Sequence, residues 1–182
     1  MELSKYPNVV HKEIFDNLTT WDLILLSFVS KNMKKLIKSS QTNRFKNVSR
    51  IVYSYGGYRD RMVYTPDKTS YDSINVWIRK KTEEVSILKM IERQVDAEND
   101  SFQLNAAGKR YDLESGDQDN CPVLSFLPMN KASAIESIHN CLFNFFGDSI
   151  EYHWVARDHK LFIPPPLQNV SVCLSIENLD NV

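Results

Sequence analysis

The sequence predicts an α+β fold in which a short N-terminal three-helix module precedes a β-rich mixed α/β region. Apolar residues recur at helical spacing between residues 6 and 39, which predicts the helices. From about Phe45 onwards, β-branched and aromatic residues instead form short runs separated by turn residues, which predicts strands. The chain has 182 residues, 42% of them apolar, and a net charge of -1. These values exclude a mostly disordered chain and a globally basic nucleic-acid binder.

The N-terminal module is expected to contain three short helices. Pro7 suits the first position of helix one, whose apolar residues at helical spacing are Val10, Ile14, Phe15 and Leu18. Thr19 and Asp22 have the spacing of a capping box, which predicts a second helix through Val29. A third short helix is expected after Ser30.

The rest of the chain is expected to be mainly strands. The predicted strands are Val48–Tyr55, Arg61–Tyr64, Ser73–Arg79, Phe102–Leu104, Arg110–Leu113, Val123–Leu127, Ser149–Val155, His159–Ile163 and Val170–Ile176. Glu83–Gln94 is ambiguous, because its apolar spacing favours a helix while its β-branched residues weaken that interpretation. Ser133 and Glu136 suggest a capping box for a helix that ends at Gly147. Strand, helix, strand in this order predicts a βαβ-like unit.

Catalytic motifs are not apparent in the sequence, so we predict no catalytic residue, no metal ligand and no cofactor. The five glycines match neither of the phosphate-binding loop patterns G-x-G-x-x-G and G-x-x-x-x-G-K-[ST]. His139, Cys141, His153 and His159 are close in sequence and leave a small hydrolase or zinc enzyme as a hypothesis. Residues two apart on a helix do not share a face, which argues against joint ligation by His139 and Cys141.

A basic stretch at residues 31–50 supports a second alternative, a nucleic-acid-binding module. It contains seven positive and no acidic side chains, namely Lys31, Lys34, Lys35, Lys38, Arg44, Lys46 and Arg50. The stretch lacks the repeated interleaving of aromatic residues that is used for base stacking, with Phe45 as its one aromatic residue. A solvated face of the third helix explains the same charges, and nucleic acid is therefore not the expected partner.

The second helix carries more apolar surface than two neighbouring helices can bury. Its sequence L-I-L-L-S-F-V is apolar nearly all round, so either the C-terminal region or another protein must cover part of it. The stretch from Tyr6 to Ile37 closely resembles the F-box motif, through its Pro7, its L-S-x-V-S-K run and its apolar register. Tyr6 and Met33 depart from the residues most common in that family.

The resemblance extends, more loosely, into the second region. Ile135–Trp154 followed by L-Q-N-V-S-V-C-L-S-I is similar to the F-box-associated region of the large nematode F-box families. The resemblance implies an F-box module at residues 3–46 and an F-box-associated region at 47–182. Because family members often continue further, it also leads us to expect a short or truncated version of that region.

The resemblance implies a non-enzymatic substrate-recognition adaptor of a Skp–cullin–F-box ubiquitin ligase. Its partners would be a Skp-type adaptor, through it a cullin scaffold, and a substrate protein of unknown identity. The implied adaptor-binding residues are Pro7, Val10, Ile14, Phe15, Leu18, Leu23, Leu26, Val29 and Leu36, which divide between the interior of the module and the interface. The aromatic residues offered as substrate anchors are Tyr53, Tyr55, Tyr58, Trp77 and those of Phe145–Trp154. With three cysteines, no signal peptide and no membrane span in the sequence, we expect an intracellular protein of the cytoplasm or nucleus.

Overall fold

A computed structural model describes residues 5–56, 73–81, 83–93, 102–114, 121–156 and 162–174 of the chain. The helices are α1 (Asn8–Asp16), α2 (Thr20–Val29), α3 (Lys31–Ser40), α4 (Thr42–Phe45) and α5 (Lys131–Phe146). The strands are β1 (Val48–Tyr55), β2 (Ser73–Lys80), β3 (Glu84–Glu92), β4 (Phe102–Ala106), β5 (Lys109–Glu114), β6 (Val123–Phe126), β7 (Glu151–Ala156) and β8 (Val170–Leu174). An α+β fold with N-terminal helices is therefore confirmed.

The strands form one mixed sheet in the order β4-β5-β6-β3-β2-β1-β7-β8. Pairing is antiparallel for β1–β2, β2–β3, β4–β5 and β5–β6, and parallel for β3–β6, β1–β7 and β7–β8. Helix α5 connects β6 to β7, which run in the same direction with three strands between them. The predicted βαβ-like unit is present, but its two strands are not neighbours.

One face of the sheet carries the main hydrophobic core. Alternate residues of β1, β2 and β7 point into it, and helices α2 and α5 pack against it. The central strands contribute Ile51, Tyr53, Tyr55, Ile74, Val76, Ile78, Tyr152 and Trp154, each no more than 3% exposed. The other face carries the residues between them, which are mostly polar or half-buried. This alternation sets apart a covered face and an open face of the sheet.

Several predicted elements are confirmed. Strand β1 has the predicted bounds, and the strands predicted at Phe102–Leu104 and Arg110–Leu113 are β4 and β5, which form a hairpin. Its two turn residues, Ala107 and Gly108, both have positive φ, at 52° and 82°, as a tight two-residue turn requires. Gly147 ends α5 with φ of 77°, a conformation that glycine adopts without steric cost.

Other predictions are wrong in part. The helical spacing in Glu83–Gln94 misleads, because residues 84–92 of this segment form β3. Ser133 does not cap α5, which begins two residues earlier, after a 3-10 turn at Pro128–Asn130. Ser133 instead donates a hydrogen bond to the Asn130 carbonyl from inside the helix.

The remaining differences concern segment bounds. Pro7 is the residue before α1 rather than its first residue. Phe162 and Ile163 are not in a strand, and Arg61–Tyr64 lies outside the described residues. The division into domains at 3–46 and 47–182 stays a prediction.

Candidate protein-binding site

Side-chain caps fix where α2 and α3 begin. The Thr19 hydroxyl accepts a hydrogen bond from the Asp22 amide at 3.2 Å, and the Asp22 carboxylate accepts one from the Thr19 amide at 3.0 Å. This is the predicted capping box, and each such cap stabilises a helix by about 1 kcal/mol. Ser30 caps α3 in the same way, by accepting from the Met33 amide at 3.1 Å.

The short helix α4 holds the end of α1 in place. Arg44 donates to the carbonyl oxygens of Leu18 at 2.6 Å and Asp16 at 3.3 Å, groups that the end of α1 leaves without helical partners. Gln41 donates to the Asp16 carboxylate at 2.7 Å. These bonds close the helical module around α3, which packs against both α1 and α2.

Helix α2 lies between two hydrophobic cores. Leu23 is fully buried in a small core inside the module, together with Phe15, Ile37 and Phe145. Ile24 and Leu25 are buried in the main core against the sheet. The sequence left open whether the C-terminal region or another protein covers this helix, and the structure shows that the C-terminal region covers much of it.

The nine residues implied by the F-box resemblance fall into three groups in the structure. Phe15 and Leu23 are fully buried, so they support the module from within. Half-buried side chains at the surface of the small core are Ile14, Leu18, Leu26 and Leu36. Pro7, Val10 and Val29 are exposed. The surface on which a partner could bind therefore involves the last two groups.

Exposed apolar side chains concentrate at two places in the module. At the start of α1, Tyr6 is 44%, Val9 78% and Val10 36% exposed, and at the end of α2, Val29 is 66% exposed. Tyr6 and Val9 were not among the implied site residues, although both belong to the apolar pattern of the sequence. Exposed apolar groups beside half-buried leucines are the kind of surface that another protein covers.

The basic stretch is divided among several elements of the fold. Several of its seven cations have structural partners: Arg44 binds the end of α1, Lys38 lies 5.6 Å from the centre of the Phe145 ring, and Arg50 pairs with Glu151 at 2.6 Å. The seven residues are spread over α3, the α4 region and β1. This distribution weakens the nucleic-acid alternative.

His139 of α5 has a structural role in the main core. It is fully buried, its Nε2 lies 2.9 Å from the Gln168 carbonyl oxygen, and its Nδ1 lies 2.9 Å from the Tyr53 hydroxyl. Because a carbonyl oxygen only accepts, Nε2 carries the proton and Nδ1 accepts from Tyr53. Burial lowers the pKa of His139, and the hydrogen bond to Gln168 partly opposes that effect.

The histidines and Cys141 proposed as zinc ligands do not meet. His139 lies on the covered face and His153 on the open face, while His159 is outside the described residues. Burial raises the pKa of the Cys141 thiol, which disfavours the thiolate that zinc binds. Among the residues that the structure describes, no three His, Cys, Asp or Glu side chains are grouped so that they could hold a metal ion.

The open face of the sheet contains a shallow concavity of about 210 Å³ that sequence reasoning missed. Its lining residues come from β1, β2, β3 and β7 and are Arg50, Val52, Ser54, Asn75, Trp77, Arg79, Glu84, His153 and Val155. Of the aromatic residues offered as substrate anchors, Trp77 lines this concavity, whereas Tyr53, Tyr55 and Trp154 are buried in the main core. Tyr58 lies outside the described residues. The only sequence signal was the alternation in S-I-N-V-W-I-R.

Comparison with known proteins identifies the helical module. Residues 7–45 match the family model of the F-box domain. The match stops at Phe45, before the first strand, so it concerns the helical module alone. No curated protein and no solved structure matches the chain. Within the described residues, no helix is long and apolar enough to cross a membrane.

An F-box domain implies a protein that binds a Skp-type adaptor and, through it, the cullin scaffold of a ubiquitin ligase. Proteins with this domain are generally non-catalytic adaptors.

Proposed function

We propose that the protein is a substrate-recognition adaptor of a Skp–cullin–F-box ubiquitin ligase. The F-box surface of α1, α2 and α3 binds the Skp-type adaptor, and the sheet region holds a substrate protein inside the cell, in the cytoplasm or nucleus. The match of residues 7–45 to the F-box domain carries this proposal. The loose similarity of residues 135–176 to the nematode F-box-associated region supports the second half of it.

The geometry of the module is consistent with this function. Its interior is already closed by Phe15, Leu23 and Phe145, so the exposed Val9 and Val29 are not needed to hold the helices together. Apolar side chains at 78% and 66% exposure gain stability only when a partner buries them. A stable protein complex requires such a surface, in total about 1,600 Å² counted over both partners.

The adaptor-binding surface can be tested by adding charge where no packing is disturbed. We expect Val29→Asp to weaken binding to a Skp-type adaptor about 30-fold, because a charge placed in the centre of an apolar interface costs about 2 kcal/mol. Val9→Asp tests the start of α1 in the same way. Affinity is measured by calorimetry on the full chain.

The matched control is Ile163→Asp, which places the same charge on an apolar residue that is 83% exposed and lies outside the module. It is expected to leave adaptor affinity unchanged. Wild-type affinity in both module variants, or equal loss in the control, would contradict the proposed surface. Thermal unfolding of each variant shows that the fold is retained.

The substrate half of the proposal needs a different experiment. With ubiquitin conjugation inhibited, the full chain is expected to retain a substrate protein that Val29→Asp also retains, since that variant affects the adaptor side only. Quantitative mass spectrometry of the two purified samples measures both partners. A protein bound only through the Skp-type adaptor is lost from the variant and is not a substrate candidate.

A further inference from the structure

Three side chains on the open face form a line that ends at an exposed thiol. Cys173 of β8 has its Sγ 3.9 Å from Nδ1 of His153 on the neighbouring strand β7. On the other side of the ring, Nε2 of His153 lies 3.1 Å from Oε2 of Glu151. Cys173 is exposed, whereas Cys121 is buried and Cys141 half-buried.

The order of these groups sets the tautomer of the neutral imidazole. Glu151 also accepts hydrogen bonds from Nε and the terminal nitrogen of Arg50, and this lowers the pKa of the Glu151 carboxyl and keeps it ionised. An ionised carboxylate only accepts hydrogen bonds, so Nε2 of His153 must be the donor. In the neutral ring the lone pair is then on Nδ1, the nitrogen that faces Cys173.

This arrangement matches what nucleophilic chemistry requires: a nucleophile beside a base, and a third group that orients the base. The register of β7 and β8 places this group of side chains at the edge of the concavity, because Cys173 pairs with Val155, and Val155 lines the concavity. His153 itself also lines the concavity. The thiol is therefore open to small molecules that approach the open face.

We propose that Cys173 is a site of thiol–disulfide exchange that takes small soluble disulfides of the glutathione type, with His153 as its base and Glu151 as the positioning residue. This site is separate from the F-box surface and does not depend on ligase function. Exchange of this kind needs only an accessible thiol, a base and an electrophilic sulfur.

The reaction balances with the groups named. The thiol proton of Cys173 moves to Nδ1 of His153, and the thiolate attacks one sulfur of the small disulfide. A new sulfur–sulfur bond forms to Cys173 as the original one breaks, and the leaving thiolate takes the proton from His153. Cys173 is oxidised, and one equivalent of the small thiol is released in reduced form.

The test is the rate at which oxidised glutathione modifies the full chain at pH 7.5. Intact-mass spectrometry follows the adduct, and peptide mapping locates it. We expect one adduct, at Cys173, absent from Cys173→Ser. His153→Gln is expected to lower the rate about tenfold or more, as loss of a catalytic base does. Glu151→Gln is expected to lower it less, because the amide oxygen can still accept from Nε2.

The matched control is Glu83→Gln, which breaks the Lys80–Glu83 ion pair at residues that do not line the concavity. Its rate should equal that of the wild type. An unchanged rate in His153→Gln, or faster modification of Cys141 than of Cys173, would overturn the proposal. Should His153→Gln fail to fold by circular dichroism, the exposed Glu151→Gln decides: a wild-type rate overturns the proposal and a lower rate supports it.

Discussion

The two faces of the sheet are built from the same strands and serve different purposes. On the covered face, Tyr53, Trp154 and His139 are fully enclosed, and the polar atoms of Tyr53 and His139 bind each other. On the open face, His153 and Trp77 are only half-buried and stand among ion pairs. Residues one position apart on a strand therefore differ in environment more than residues far apart on the same face.

The two histidines show what this difference means chemically. Each has partners at both ring nitrogens, and in each the proton is on Nε2, opposite a group that can only accept. At His139 the lone pair on Nδ1 is satisfied by the Tyr53 hydroxyl, so nothing remains for reaction. At His153 the lone pair on Nδ1 faces the thiol of Cys173. The same hydrogen-bond pattern therefore has a structural role at the buried His139, whereas at the half-buried His153 it leaves Nδ1 available to accept a proton.

The largest expected effect comes from the two matched tryptophans. Trp154 stacks on Tyr53 and Tyr55 and contacts Phe162, with ring centres about 6 Å apart, and it is fully buried. Trp154→Ala is expected to lower the free energy of unfolding by about 3–5 kcal/mol. Trp77→Ala on the open face should cost about 1 kcal/mol, because its ring is only half-buried. Urea unfolding measures both, and equal losses would erase the distinction between the faces.

The pH dependence of stability is the next largest effect. The pKa of His139 is lowered from 6.5 in the fold, so the unfolded chain binds its proton more tightly. Its contribution is therefore complete above pH 6.5 and is lost as the pH falls below that value, by at most about 1.4 kcal/mol per pH unit.

Urea unfolding at pH 7.5, 6.5 and 5.5 measures this loss in the wild type. In His139→Gln the curve is expected to be flatter below pH 6.5, since the variant has no imidazole to titrate. Equal slopes in the two proteins would show that carboxyl groups alone cause the acid destabilisation.

The smallest effect is expected at the ion pair between Arg79 and Glu84 on the open face. Arg79 and Glu84 pair at 3.2 Å with side chains 48% and 40% exposed. Exposed pairs of this kind stabilise a protein by less than about 1 kcal/mol. Arg79→Ala should therefore shift the unfolding midpoint only slightly, and raising the salt concentration should remove the difference. A large, salt-independent loss would mean that this face also carries core contacts.

Local signals in the sequence predicted the elements whose stability is local. The capping box at Thr19 located the start of α2, and the run Val48–Tyr55 gave β1 its bounds. Strand β3 was obscured by a register shift in its pairing with β2, between Val76 and Trp77. Ile87 and Leu88 are both buried there, and two adjacent buried residues followed by Ile91 imitate the spacing of a helix.

Sequence patterns do not predict the features that depend on long-range contacts. The division of the F-box residues between interior and surface depends on α5, more than 100 residues away, whose Phe145 completes the small core. The concavity and the line from Glu151 to Cys173 depend on the register of β1, β7 and β8. No spacing rule along one segment contains that register.

The position of Phe145 has a consequence for how the protein would be controlled in a cell. Phe145 of α5 is part of the small core inside the helical module. The module and the sheet region therefore depend on the same packing and are expected to unfold together. A copy whose sheet region has not folded therefore lacks part of the support for its docking surface. In the proposed function, folding itself then limits which molecules can join a ligase, so that incompletely folded chains do not compete with folded ones for the adaptor.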